Sequence, residues 1–206
     1  MSNSGKMNVV TSGDGIIQFE LDDEMMKVIQ NALGQLRGES NRVLRNAVNA
    51  TARQAKSTLG RKAKETYAVQ QSRFTRAMKT KNATVANPSA TINVTGQQLE
   101  LAEFKVDPKA VLNGKDRPDI VRAKVLLSSG LKGLQSNTKA FLVRFRSGHV
   151  SVAQRRTKAR YPIKKLLSNS IPKMVGSEDK VYGIVEPDIY DNLMDNILKE
   201  IKKVLR

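Results

Sequence analysis

Apolar positions recur along this chain with two periods, and the switch between them sets the expected architecture. Ile17, Phe19 and Leu21 alternate with polar neighbours, which predicts a short strand over residues 16–21. Asp22 and Asp23 then open a helix, where carboxylates suit the positive end of the dipole. Its apolar stripe runs Met26, Ile29, Leu33 and Leu36, and Gly34 and Gly38 weaken its end. A second, longer helix from about Glu39 has Val43, Leu44, Ala47, Val48, Thr51, Ala55 and Leu59 as its buried face. Arg42, Arg45, Arg53 and Lys56 occupy the other face, where a solvated surface and a contact surface are equally good readings.

From about Met78 the period becomes two. Thr84-Val85 and the run from Thr91 to Thr95 read as strands joined by the turn-forming Asn87-Pro88-Ser89. Residues 101–106, 121–127 and 141–145 add three strand candidates, with Phe141 and Phe145 alternating as core residues do. Ser147-Gly148 between residues 142–145 and 150–152 predicts a hairpin that leads into a very basic loop, residues 154–160. Pro162 restarts order, and residues 163–168 read as a last strand or a short helical turn. Ile189, Leu193, Ile197, Ile201 and Leu205 mark an amphipathic C-terminal helix begun by Pro187-Asp188. The expected class is α+β: two N-terminal helices, an antiparallel sheet with a basic hairpin and loop, and an amphipathic C-terminal helix. Residues 1–15, polar and Gly/Ser-rich, read as a flexible arm, and residues 16–206 as a single domain.

Charge changes this picture more than composition does. The chain carries a net charge of +17. Between Asp119 and Glu178 it has no carboxylate, yet the stretch holds thirteen bases, from Arg122 to Lys173. Unopposed like charges repel in a compact state, so a polyanion or an acidic protein surface is expected to supply the missing charge. Arg144, Arg146, Arg155, Arg156, Lys158, Arg160, Lys164 and Lys165 are the candidate contact residues. Phosphate contacts need only reachable Lys and Arg, so the pattern fits DNA, RNA and an acidic protein rim alike. Aromatic platforms for base stacking are missing, since Tyr161 stands alone, and contact with a duplex would be to its backbone.

The remaining chemistry is sparse. With one His and no Cys, the chain offers neither a Cys–His pair nor a zinc site, and no cofactor or metal is expected. His149 sits at the predicted hairpin tip and reads as an exposed turn residue, and Ser147 beside it lacks a nucleophile elbow. The adjacent pairs Asp22-Asp23 and Glu178-Asp179 point in different directions and suit capping or turns. Glu186, Asp188, Asp191 and Asp195 are expected in the first turns of the last helix. Residues 128–134 lack the spacing of a phosphate-binding loop and read as a flexible connection. No apolar run reaches the roughly 18 residues a bilayer crossing needs. With no Cys and no apolar leader core, the expected setting is a reducing cytoplasm or a particle assembled there. No enzyme is expected.

The segment from Lys139 through Phe141, Phe145 and Ser147-Gly148 to Tyr161-Pro162-Ile163, closing on Ser170-Ile171-Pro172-Lys173-Met174, resembles the minor tail protein Z (tail completion) family of phages and prophages. The Ala/Arg/Asn-rich helix over residues 43–59 and the following Lys62-Ala63-Lys64-Glu65-Thr66-Tyr67 agree with it. The resemblance covers roughly residues 21–185, and Ser168-Asn169 departs from the Gly-Pro of many relatives. It implies a non-enzymatic virion protein, a tail completion or neck subunit at the head-proximal end of the tail. Such a subunit would sit in a homo-oligomeric ring among other neck and tail proteins, aid head–tail joining and DNA positioning, and be assembled in the host cytoplasm. Backbone contact with double-stranded DNA would be available to it, and membrane contact is not expected. The competing class is a free, sequence-nonspecific nucleic-acid-binding protein, whose charge would look the same.

Overall fold

The computed structural model describes residues 16–19, 23–134 and 138–206. The expected arm over residues 1–15, along with Leu21 and Asp22, lies outside them. The elements follow the order β1 (Ile16–Phe19), α1 (Asp23–Leu33), α2 (Ser40–Thr66), α3 (Gln71–Ala77), β2 (Met78–Lys81), β3 (Ala90–Val94) and β4 (Gln98–Glu100). Then come β5 (Lys105–Asp107), β6 (Arg122–Lys124), β7 (Lys132–Gly133), β8 (Ala140–Arg144) and β9 (Val150–Arg155). The chain finishes with β10 (Ile163–Lys165), β11 (Leu167–Ser170), α4 (Ile171–Val175) and α5 (Tyr182–Val204). The class is α+β, but the strands divide among four small antiparallel sheets, ordered β1-β3-β2, β10-β9-β8, β11-β4 and β5-β6-β7.

The scaffold is the pair α2 and α5. Val43, Leu44, Ala47, Val48, Thr51, Ala55 and Leu59 are all buried on α2, as their spacing predicts. On α5 the buried face is Tyr182, Val185, Ile189, Leu193, Ile197 and Ile201. Burying each large aliphatic side chain contributes about 1.5–3 kcal/mol, so this seam is a main source of stability. Polar contacts at its margin set the register. Asn196 Nδ2 donates to Thr51 Oγ1 at 3.0 Å and to Gln54 Oε1 at 2.9 Å, and Asn46 Nδ2 donates to Glu200 Oε2 at 2.9 Å. Residues earlier in α2 thus meet later ones in α5, so the helices run antiparallel. β3, which packs on α2, alternates as a half-buried strand should, with Ala90, Ile92 and Val94 inside. Asn49 of α2 clips the loop between β2 and β3 by a two-way bond with Ala83, at 3.1 and 2.8 Å.

Several expectations are corrected. Leu36 is exposed, because the α1 pattern ends at Gly34, which takes φ +54°, and a 3-10 turn over Gly34–Glu39 rotates the stripe away. The strand that precedes β3 in the chain and pairs with it is Met78–Lys81; Thr84 and Val85 lie in the connecting loop, tied by Thr84 N–H to Asn87 C=O at 2.8 Å. The candidate strand at 101–106 splits into a 3-10 turn over Leu101–Glu103 and β5. α5 begins at Tyr182 and contains Pro187, so Glu186 and the acids after it lie beyond its first turn. Leu205 follows the helix end and is exposed. The short helices α3 and α4 carry no long apolar period and were not anticipated; α4 is started by Ser170, whose side chain accepts from Lys173 N–H with Pro172 in its first turn.

Candidate functional site

The predicted hairpin forms β8 and β9, with Arg144 opposite Val150, Val143 opposite Ser151 and Phe141 opposite Ala153. Its turn closes by Phe145 N–H to His149 C=O and Gly148 N–H to Phe145 C=O, both 2.8 Å. Gly148 adopts φ +83°, which favours a residue without a Cβ. β9 runs to Arg155, so Gln154 and Arg155 belong to the strand and the basic loop starts at Arg156. β10 returns along β9 with Lys164 opposite Gln154 and Lys165 opposite Ala153. Adjacent residues of a strand face opposite ways, so the two lysines lie on different faces of this sheet.

All eight candidate contact residues are exposed. Arg144 ends β8, Arg146 is in the turn, Arg155 ends β9, and Arg156, Lys158 and Arg160 occupy the loop. Of the thirteen bases between Asp119 and Glu178, Lys139 meets Asp119 at 3.1 Å and Lys165 meets Glu100 at 2.6 Å. Among the described residues the other eleven meet no carboxylate.

Lys165 is the exception among the candidates. Its ammonium is committed to Glu100 and lies 5.2 Å from the centre of the Phe145 ring. Glu100 sits at the end of β4, beside β11, with its side chain only 18% exposed. Burial pushes its carboxyl up, but hydrogen bonds from Lys165, Ser151 and His149, with the Lys165 charge, outweigh that and hold it at about 2. His149 Nε2 lies 2.9 Å from Glu100 Oε2, and its ring stacks on Phe145 at 6.2 Å. His149 is exposed at the turn, as expected, but it is anchored. Phe145 and Phe141 are half-buried, which corrects their reading as core residues: Phe145 supports this cluster and Phe141 borders an open groove.

That groove has a volume of about 910 Å³ and lies between β8 and the segment 108–121. Arg144, Arg155, Lys158 and Arg160 line it, while Arg146, Arg156, Lys164 and Lys165 do not. The Arg160 guanidinium stacks 5.6 Å from the centre of the exposed Tyr161 ring. Charge counting along the chain missed Arg117, Asp119 and Glu100, because each reaches the site from outside the basic segment. Lys139 and Asp119 link the two walls. Among the described residues no group of three His, Cys, Asp or Glu side chains converges as a metal site would require. Nor is any described helix long and apolar enough to cross a membrane. The groove's lining thus mixes exposed cations with apolar side chains.

A family model described as Prophage minor tail protein Z (GPZ) matches residues 25–206. The match continues through α5, beyond the limit near residue 185 that the sequence motifs suggested. No curated protein and no solved structure matches the chain.

Proposed function

The chain belongs to the prophage minor tail protein Z family, a structural component of the phage tail that works among other tail proteins, and we propose that it serves as a tail completion or neck subunit. In this reading it takes a place at the head-proximal end of the tail, in a ring of identical copies, and assists head–tail joining and the positioning of DNA. Residues 16–206 act as one domain, a reading supported by a core cluster that runs from Ile17 to Ile201. Heterologous contacts that close into a ring repeat one modest interface many times, and the resulting avidity suits a joint assembled once.

The observation that carries this proposal is the concentration, on the β8–β9 hairpin and the loop after it, of cations that meet no carboxylate among the described residues. Arg144, Arg146, Arg155, Arg156, Lys158 and Arg160 need an anionic neighbour in the particle, and the backbone of descending DNA or an acidic partner rim provides one. The chemistry of the site is electrostatic contact, with no reaction to perform.

The test is a phage carrying all six residues replaced by Gln. Folded protein with reduced particle yield or infectivity is the expected result. Normal yield and infectivity would remove the surface from the account. Mass spectrometry of gradient-purified particles tests the wider role, which requires the chain at a fixed ratio to tail-tube protein. Recovery only in a soluble, DNA-bound pool, with affinity falling steeply in salt, would instead identify a free nucleic-acid-binding protein.

A further inference from the structure

β8 is the outermost strand of its sheet. The bond from Phe145 N–H to His149 C=O makes 145 and 149 a hydrogen-bonded pair. Pairs alternate along an antiparallel ladder, so Val143 and Phe141 exchange bonds with Ser151 and Ala153. Ala140, Leu142 and Arg144 therefore direct their N–H and C=O groups away from β9. Among the described residues no backbone or side-chain group takes up those of Leu142 and Arg144, while Lys139, just before the strand, takes part in an isolated bridge. Every residue from 138 to 144 borders the groove, whichever face its side chain takes. A groove that touches consecutive residues of a strand runs along the edge of that strand, where the unpaired backbone lies.

An open edge is ordinarily blunted or covered, because it is a template for another strand. Here it is flanked by a built trough. Val111, Leu112, Phe141, Val143 and Tyr161 give the trough apolar surface. Arg117, Lys139, Arg144, Arg155, Lys158 and Arg160 share the lining, and among the described residues Asp119 is its one carboxylate, already bound to Lys139. We infer that the outer edge of β8 at Leu142 and Arg144, unpaired among the described residues, and the basic trough beside it form a strand-addition site for an extended acidic segment of a partner protein, in which apolar residues alternate with Asp or Glu. Strand addition draws affinity from main-chain hydrogen bonds and selectivity from pockets for alternate side chains.

The chemistry disfavours other occupants. Duplex phosphates accept hydrogen bonds but donate none, so they leave the edge carbonyls unpaired, and they gain nothing from Phe141 or Leu112. Residues 1–15 of the chain itself carry one Lys and one Asp, which offers no complement to six cations. The inference rests on reading this end of the molecule as a contact surface, and it holds whether or not the subunit occupies the neck.

The experiment uses the full chain and a fluorescein-labelled eight-residue peptide alternating Glu with Val. Fluorescence anisotropy measures affinity, and hydrogen exchange followed by NMR locates the contact. Saturable binding is expected, with slowed exchange at the amides of Leu142 and Arg144. N-methylation of two alternate peptide nitrogens should weaken it at least about tenfold at unchanged charge, since two ladder bonds are lost. A two-residue charge reversal, Arg155→Glu with Lys158→Glu, should weaken the Glu peptide and favour a Lys/Val peptide. Absence of binding, equal affinity for the N-methylated peptide, or protection elsewhere would overturn the site. Slow exchange at Leu142 and Arg144 that is present without peptide, and is lost at low protein concentration or on deleting residues 1–15, would also overturn it, by giving the edge to a second copy or to the chain's own N-terminus. Failure here with impaired particles from the six-Gln phage would leave the proposed function standing. Peptide binding with normal particles would do the reverse.

Discussion

Glu100 accepts a hydrogen bond from Lys165 Nζ at 2.6 Å across 65 residues of sequence. β4 therefore delivers a carboxylate into the stretch of chain that has none of its own. The same carboxylate meets His149 at 2.9 Å, so it ties β10 and the hairpin turn to the rest of the fold. Lys165 is thereby a structural cation, and the exposed bases around it remain the ones open to a partner.

Replacing Glu100 with Gln should destabilise the protein at neutral pH by about 2–3 kcal/mol, since a carboxyl held near 2 instead of its ordinary 4.5 is stabilised by the fold. Its folded value is depressed, so this contribution is complete above about pH 4.5 and is lost as pH falls toward 2. Urea unfolding of both proteins at pH 7, 4 and 2.5 should show the gap narrowing with acid. A constant gap would mean that the charge of Glu100 is not what stabilises.

Lys165→Gln and Lys158→Gln remove equal charge but should differ in effect. The first leaves a largely buried carboxylate without its cation and should cost about 1–2 kcal/mol. The second removes an exposed side chain that pairs with no carboxylate among the described residues and should stay within about 0.5 kcal/mol. Thermal melts of the two side by side decide it.

Asn196→Ala should cost about 1 kcal/mol, because it strips Thr51 Oγ1, fully buried on α2, of its donor. Leu193→Ala, in the apolar seam beside it, should cost about 2–5 kcal/mol through the cavity it leaves. Chemical denaturation of both variants tests whether the α2–α5 seam rests on packing more than on its polar margin. A larger loss from Asn196→Ala would reverse that order.

Gly183→Ala should be among the most damaging small changes. A Cβ there would fall 2.4 Å from the carbonyl oxygen of Glu178, so the turn before α5 would have to shift. Gly38→Ala has open space around it and should be neutral or stabilising by up to about 1 kcal/mol. A clear loss for Gly183→Ala beside no loss for Gly38→Ala in a matched melting experiment is the expected outcome.

Legibility in the sequence followed locality. The faces of α2 and α5 and the β8–β9 hairpin are set by spacing within a few residues, and Val43, Leu193 and Gly148 could be read directly. The start of α5 was missed because Pro187 looks like a first-turn proline, while Tyr182 and Val185 extend the buried face before it. Leu36 was misplaced because a periodic pattern does not register a change of helix type at Gly34. The eight candidate bases were legible as exposed charge. Their division was not: β4 determines that Lys165 is neutralised, and the segment carrying Arg117 and Asp119 determines which bases border the groove. Both relationships exist only once distant segments are brought together.

The antiparallel seam between α2 and α5 also has a consequence in time. Thr51 and Asn196 are separated by 145 residues. At a ribosomal rate of about 5–20 residues per second, the apolar face of α2 waits roughly 7–30 s for its partner. The seam thus closes only once α5 has been made, and a chain lacking α5 leaves the apolar face of α2 uncovered.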